Sequence, residues 1–322
     1  MLIYILLIIG FPLLIMGADF LVKGASSLAK KLNISDLIIG LTVVAFGTSS
    51  PELFVNIIAS VQGNSSIAVG NIIGSNIFNI LIILGISAII YPLSVTAVTV
   101  YREIPLCLLA SLLVGILGND VLIDRGNTSA FTRTDGIVML TFFIVFLYHI
   151  FGIIKSQKDK LDLVIQKEYG LFKILILIVI GFIMLFTGSK FVVDGAAKLA
   201  HLFGVSESVI GLTIVACGTS VPELATSVVA AYRKKTDIAV GNIVGSNIFN
   251  VFCILAVSAI IRPIPIAPMQ DNISIAVSIF ASLLLFIMMF TGRKFYLLER
   301  WEGAVFATLY IAYISYLVIY GS

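Results

Sequence analysis

The sequence predicts an all-α integral membrane protein: ten transmembrane helices as two inverted five-helix repeats, with broken helices at the midplane. Three observations carry this prediction. The chain of 322 residues is 60% hydrophobic and only 11% charged, with a mean hydropathy of +1.14, whereas a soluble domain carries roughly 25% charged residues. Its halves repeat when the chain is slid by 171 residues. Residues 40–53 (GLTVVAFGTSSPEL) match 211–224 (GLTIVACGTSVPEL), and 67–79 (IAVGNIIGSNIFN) match 238–250 with one difference. Finally, the loop between these blocks is neutral in one copy (QGNSS, 62–66) and cationic in the other (RKKTD, 233–237).

The first repeat, 1–154, places spans near 2–22, 36–60, 67–91, 103–118 and 136–154. The second, 171–322, places them near 171–192, 207–230, 238–261, 273–291 and 303–320, with 155–170 as a cytoplasmic linker. A helix needs about 20 apolar residues to cross a bilayer. The run ILIILGISAII (80–90) does not alternate in hydrophobicity, as a transmembrane strand would, so the spans read as helices. Residues 1–11 lack the positive region of a secretory signal, and the first cation is Lys23, so the first run reads as a retained helix.

Five spans per unit is odd, so consecutive units enter the membrane from opposite sides. Cations support this independently. With the N-terminus outside, the inner segments hold 15: Lys23, Lys30, Lys31, Arg102, Lys155, Lys158, Lys160, Lys167, Lys173, Arg233, Lys234, Lys235, Arg293, Lys294 and Arg300. The outer side holds 5: Arg125, Arg133, Lys190, Lys198 and Arg262. Cations favour the cytoplasmic side, so both termini are expected outside, in a plasma membrane. Asp19, Lys23, Lys190 and Asp194 read as interfacial charges near helix ends, and Ser35 and Ser206 as helix N-caps.

Within the second span of each repeat lie GTSSPE (47–52) and GTSVPE (218–223). Pro51 has no amide hydrogen and its ring crowds the preceding turn, so the Gly47 carbonyl loses its helical partner. In lipid such an orphan costs several kcal/mol unless something else satisfies it. A bound cation does so. Thr48 and Glu52 are four residues apart and share a helix face. Thr219, Ser220 and Glu223 repeat the set. Each central acid costs about 2.5–3.5 kcal/mol to insert, and a cost incurred twice at matching positions points to function. Oxygen ligands of this kind suit hard cations such as Ca²⁺ and Na⁺.

In each GSNIFN segment, Ser75 with Asn79, and Ser246 with Asn250, share a face able to complete an oxygen cage. Gly70, Gly74, Gly241 and Gly245 form small-xxx-small faces for close helix contact. Asn71, Asn76, Asn242 and Asn247 are expected to bond across helices. Cys107, Cys217 and Cys253 lie in apolar segments without a CxxC pair, and with only two histidines a transition-metal site is not expected. No nucleophile–base pair or metal triad suggests an enzyme. Discontinuous helices meeting mid-membrane in an inverted repeat are instead a transporter design.

With these residues in view, the chain resembles the prokaryotic sodium/calcium exchangers of the cation/calcium exchanger superfamily. The duplicated GTSxPE and GNxxGSNxxN stretches carry the resemblance, which covers nearly the whole sequence. It implies an antiporter in which Na⁺ influx drives Ca²⁺ efflux by alternating access, with the first and sixth helices sliding against the rest. The side-chain ligands it implies are Thr48, Ser49, Glu52, Ser75, Asn79, Thr219, Ser220, Glu223, Ser246 and Asn250. The backbone carbonyls of Ala45 and Ala216 would join them. Partners are the two transported ions and the lipid bilayer; no cofactor, nucleic acid or obligatory protein partner is expected.

Two departures bear on the site. Asn250 stands where some relatives, including potassium-dependent ones, carry aspartate, which weakens a potassium role. Val55 and Asn56 replace the hydroxyl pair Thr226 and Ser227, so the half-sites need not be equivalent. The alternatives are a proton/calcium antiporter, which needs the carboxylates but not the surrounding hydroxyls, and, further off, a passive cation channel.

Overall fold

The computed structural model describes residues 2–63, 65–123, 125, 128–158, 169–203, 216–266, 270–292 and 294–320. The first part of the predicted 207–230 span, the predicted Ser206 cap and most of the 155–170 linker lie outside the described residues.

The chain forms α1 (Leu2–Leu32), then α2 (36–48) and α3 (Ser50–Gln62), whose axes differ by 45° across a break at Ser49. α4 (65–90) runs on without interruption through a π-helical segment, Asn79–Leu84. α5 (Thr99–Leu117), α6 (Arg133–Lys158) and α7 (Leu171–Leu202) follow. A helical turn at Ala216–Gly218 then leads into α8 (Val221–Tyr232), α9 (Thr236–Ile261), α10 (Gln270–Met288) and α11 (Arg300–Tyr320). Among the described residues eight helices are long and apolar enough to span a membrane, or nine if the bent pair α2–α3 counts as one.

Outward-facing residues agree with a lipid surround. Ile15, Phe151, Phe172, Ile183 and Ile311 are all exposed, a display that soluble monomers rarely tolerate as a continuous surface. The interior is formed by α4 and α9, the most buried of the long helices.

α1 and α7 lie antiparallel along a glycine seam. A Cβ on Gly10 would meet the Gly188 carbonyl at 3.2 Å, one on Gly17 the Gly181 carbonyl at 2.9 Å, and one on Gly24 the Ile178 side chain at 2.8 Å. Backbones this close gain dispersion contact that larger residues would prevent. The seam also explains a correction. α1 and α7 continue to Leu32 and Leu202, ten residues beyond the predicted ends at 22 and 192. Asp19, Lys23, Lys190 and Asp194 therefore lie within helices. Asp19 bonds Lys23 one turn on, at 2.7 Å, and also pairs with Arg233. Ser35 caps α2 as expected, accepting from the Ile38 amide at 3.4 Å.

Contacts recur in exchanged pairs. Gly10 meets Gly188 and Gly17 meets Gly181, and adding 171 to either first-half residue gives the other's partner. Ser111 bonds its own counterpart, Ser282, at 2.9 Å. Two small antiparallel ribbons follow the exchange in part: β1 (Leu93–Ser94) pairs with β4 (Leu297–Leu298), and β2 (Ala130–Phe131) with β3 (Ile264–Pro265); adding 171 to β1 gives β3, whereas β4 lies four residues before the positions 171 on from β2. Such exchange is what a two-fold relation between halves produces.

Of the predicted small-residue faces, Gly241 and Gly245 pack against α2: their added Cβ atoms would lie 2.8 Å from the Leu37 carbonyl and 2.6 Å from the Leu41 carbonyl. The positions that would mirror this contact for Gly70 and Gly74, 208 and 212, lie outside the described residues.

Candidate ion-binding site

Each broken helix restarts in the same way. Ser49 leaves helical geometry at φ −82°, ψ 8°, and Ser220 does so at φ −88°, ψ 6°. Pro51 and Pro222 then sit in the first turns of α3 and α8, where a missing amide hydrogen costs nothing. Glu52 and Glu223 lie in those same first turns. A helix N-terminus offers its positive dipole end to a carboxylate, which offsets part of the cost of burying one. Both acids are buried, at 1% and 0% exposure.

The two acids are bound crosswise. The Ser49 hydroxyl donates to Glu223 Oε1 at 2.9 Å, and the Ser220 hydroxyl donates to Glu52 Oε1 at 3.1 Å. Each serine sits three residues before the opposite acid's counterpart, so the two restart turns face each other. Each carboxylate keeps its other oxygen, Oε2, without a partner.

The threonines precede the two serines in sequence. Thr48 is fully buried, with its hydroxyl 3.1 Å from Asn242 Oδ1 and 3.1 Å from the Val44 carbonyl. Thr219 is partly buried and donates to Asn71 Oδ1 at 3.2 Å. The predicted cross-helix role of Asn71 and Asn242 is what these bonds display. Backbone ligation is less developed: the Ala45 carbonyl accepts the Ser49 amide at 3.0 Å and lies 3.3 Å from the Thr48 hydroxyl. Ala216 opens the turn before the second break.

The four remaining predicted residues come from α4 and α9. Ser75, Asn79, Ser246 and Asn250 are all buried to 1% exposure or less. Asn79 and Asn250 are the first residues of equivalent π-helical segments, Asn79–Leu84 and Asn250–Leu255. Single π turns often occur at functional sites. The Asn79 amide nitrogen donates to Asn247 Oδ1 at 2.9 Å, and that of Asn250 to Asn76 Oδ1 at 3.0 Å. Asn76 and Asn247 also donate to each other's backbone carbonyls, at 3.4 and 3.3 Å. With one hydrogen of each amide so engaged, Asn79 and Asn250 leave Oδ1 unpartnered, and the hydroxyl oxygens of Ser75 and Ser246 are unpartnered too.

A consistent chemistry results. Glu52, Glu223, Asn79, Asn250, Ser75 and Ser246 each hold a buried oxygen with no hydrogen-bond partner, although buried polar atoms are almost always satisfied. Asn56 Oδ1 and Thr226 Oγ1 add two more beside the acids. Among the described residues no group of three His, Cys, Asp or Glu side chains converges, so donors suited to transition metals are absent there. Amides, hydroxyls and two carboxylates suit hard cations.

The half-sites differ where the sequence differs. Asn56 donates to the Glu52 carbonyl at 2.8 Å, whereas its counterpart Ser227 accepts from Asn242 at 2.9 Å and donates to the Ala239 carbonyl at 3.3 Å. Val55 is 38% exposed, but its counterpart Thr226 is fully buried. The sequence reading missed a separate buried acid, Glu103, whose carboxylate lies 3.4 Å from His149. No repeat marks that pair, since position 274, 171 on from Glu103, is serine.

Fold and site define a multi-span helical membrane protein built around paired carboxylates in an oxygen-rich interior. The sequence profile described as sodium/calcium exchanger protein matches residues 2–152 and 173–319. The chain belongs to the sodium/calcium exchanger family, a family of cation/calcium exchangers. It is 37% identical over 287 residues to inner membrane protein YrbG of Escherichia coli, covering 87% of this chain and 86% of that one. It is 32% identical over 343 residues to sodium/calcium exchanger MaX1 of Methanosarcina acetivorans, covering 97% of each. Its structure is similar to that of the sodium-calcium exchanger NCX_Mj soaked without Na⁺ and Ca²⁺, with a TM-score of 0.82, 34% identity and 98% coverage of both chains.

Proposed function

We propose that the protein is an antiporter that exchanges Na⁺ for Ca²⁺ by alternating access. It would sit in the plasma membrane with ten helices in two inverted five-helix repeats, 1–154 and 171–322, joined by a cytoplasmic linker at 155–170, and with both termini outside. The observation that carries this reading is the set of unpartnered buried oxygens around the reciprocal Ser49–Glu223 and Ser220–Glu52 bonds. Glu52, Glu223, Ser75, Ser246, Asn79, Asn250, Thr48, Thr219, Ser49, Ser220 and the carbonyls of Ala45 and Ala216 are the ligands in this account. The similarity to MaX1 and NCX_Mj, both described as sodium/calcium exchangers, supports the choice of ions.

Mechanism follows from charge. Without cations, two carboxylates face each other out of water, an arrangement too costly to carry through a closed intermediate. One Ca²⁺ cancels both charges, and several Na⁺ do the same, so only loaded forms cross easily. Overlapping sites then force the two ions to compete. Three Na⁺ per Ca²⁺ would move one net charge per cycle, making exchange voltage-sensitive by about 2.3 kcal/mol per 100 mV.

Proton exchange would need the carboxylates but not the amides and hydroxyls around them, so the donor set favours sodium. Calcium uptake into proteoliposomes under an outward sodium gradient tests the choice. Uptake should need that gradient and survive a proton ionophore. Uptake that the ionophore abolishes, with sodium irrelevant, would establish the proton alternative.

Asn76 and Asn247 would act as orienting residues, since their side chains hold the amides of Asn79 and Asn250 with the oxygens turned inward. Outer partners of metal ligands are typically worth 10–100-fold in affinity. Asn76→Ala should therefore weaken calcium affinity by about tenfold while leaving the maximal rate nearer to wild type. An unchanged calcium dependence would show that the amides hold their orientation without it.

A further inference from the structure

α1 and α7 are two-fold counterparts, yet they treat the two restarted helices differently. α1 packs along α8, while α7 makes no comparable contact along α3. Exposure records the same difference. Phe54, Val55, Ile58 and Val61 on α3 are all exposed. Of their counterparts on α8, Ala225 and Val229 are partly buried and Thr226 is fully buried; Tyr232, at the helix end, stays exposed. Symmetric halves would cover both helices equally, so the molecule is shut at one face and uncovered at the other.

The shut face is the one with the cationic turn 233–235, and polar contacts fasten α1 there. Asp19 of α1 binds Arg233, the residue after α8, and also Lys23 on its own helix at 2.7 Å. Asp36, at the start of α2, takes the Ser26 hydroxyl of α1 at 3.2 Å. Lys235 holds the same Asp36 oxygen at 2.8 Å. α1 is thus tied at two points seven residues apart. The uncovered face has no equivalent. Lys190 and Asp194 mirror Asp19 and Lys23 with the signs exchanged, but Gln62 and Asn64 mirror Arg233 and Lys235, and neither is charged. No ion pair can cross that gap at those positions.

We propose that the Asp19–Arg233 pair and the Ser26–Asp36–Lys235 chain form a latch that closes the inner face, and that both α1 contacts break before the ion site opens there. The latch rests on the alternating-access reading above. If α1 slides against α8, its bonds to Arg233 and Asp36 part. α2 stays with the 233–235 turn, because α2 is packed on α9 through Gly241 and Gly245. Ion pairs that keep contact with water supply only a small bias, which suits a fastening that opens in every cycle. With nothing to match it on the opposite face, the latch sets a resting preference for the form closed inside.

Calcium half-saturation measured from each face tests this, with the full chain in right-side-out and inside-out vesicles. Apparent affinity at a face scales with the fraction of protein open there. The outer-to-inner ratio of half-saturating Ca²⁺ therefore reports the balance of the two forms, and a change in the ion site itself cancels from it. Arg233→Gln should raise that ratio by about fivefold. The exchanged pair Asp19→Arg/Arg233→Asp should reverse most of the rise. If Arg233→Gln does not fold, Asp19→Asn carries the test, with the same rise expected. An unchanged ratio, or a rise that the exchanged pair leaves in place, would overturn the latch while leaving the antiporter reading intact. A wild type that moves no Ca²⁺ against a sodium gradient would overturn that reading and the latch together.

Discussion

Glu52→Gln and Glu223→Gln each reduce calcium uptake into proteoliposomes by at least about 100-fold, with the fold intact. The size of the effect follows from the bonds each acid makes. A glutamine oxygen can still accept the serine hydroxyl that now reaches Oε1, so the restart turns keep their alignment. The change falls on Oε2, the atom without a protein partner. There an amide presents two hydrogens where a cation needs an oxygen, and one of two compensating charges is gone. Removing one partner from a buried charged set costs about 3–5 kcal/mol, or two orders of magnitude or more in binding. Stability should move the other way. In cation-free buffer the substituted protein no longer opposes two buried carboxylates, so its Tm should equal or exceed that of the wild type. Wild-type uptake in either variant would detach the acids from transport.

Gly17→Val is the second large effect, and it acts on the scaffold. A Cβ at Gly17 would lie 2.9 Å from the Gly181 carbonyl, the Leu185 amide and the Met184 Cβ. Two of those three neighbours are backbone, so no rotamer change can yield. α1 and α7 must separate, with a loss of roughly 3 kcal/mol by analogy with overpacked cores and a correspondingly lower Tm in detergent. Gly188→Val should behave alike, since its Cβ would lie 2.9 Å from the Leu14 amide and 3.0 Å from the Gly10 carbonyl. Gly152→Val on α6 is the control: nothing lies within 4 Å of its added Cβ, so its Tm should stay near that of the wild type. Equal losses at Gly17 and Gly152 would mean that helix propensity, not the seam, controls stability.

How much of this was legible beforehand depends on what each feature asks of the chain. The break at Ser49 was readable because proline removes a particular hydrogen bond, and the facing acids because burial of charge is costly enough to need an explanation. The repeat gave the two-fold pairing, since each first-half residue names its own counterpart. The π-helical segments at Asn79–Leu84 and Asn250–Leu255 were not readable, because an extra residue in one turn requires no particular side chain. The two ribbons were missed for a related reason: strands of two residues show no alternation. Helix ends were misjudged where charge was taken as a boundary, although Asp19 and Lys23 pair along the helix and let α1 continue. The cross-helix bonding of Asn76 and Asn247 was anticipated, but the reason they matter was not. Only the coordinates place their side chains on the amide nitrogens of Asn79 and Asn250.

The most direct test of the account is anomalous diffraction from crystals grown with strontium as a calcium surrogate. The account predicts one strong peak between the two restart turns, within about 2.6 Å of Oε2 of both Glu52 and Glu223, that fades as sodium is raised. Strontium bound elsewhere with those oxygens still bare, in a preparation that exchanges calcium, would contradict it.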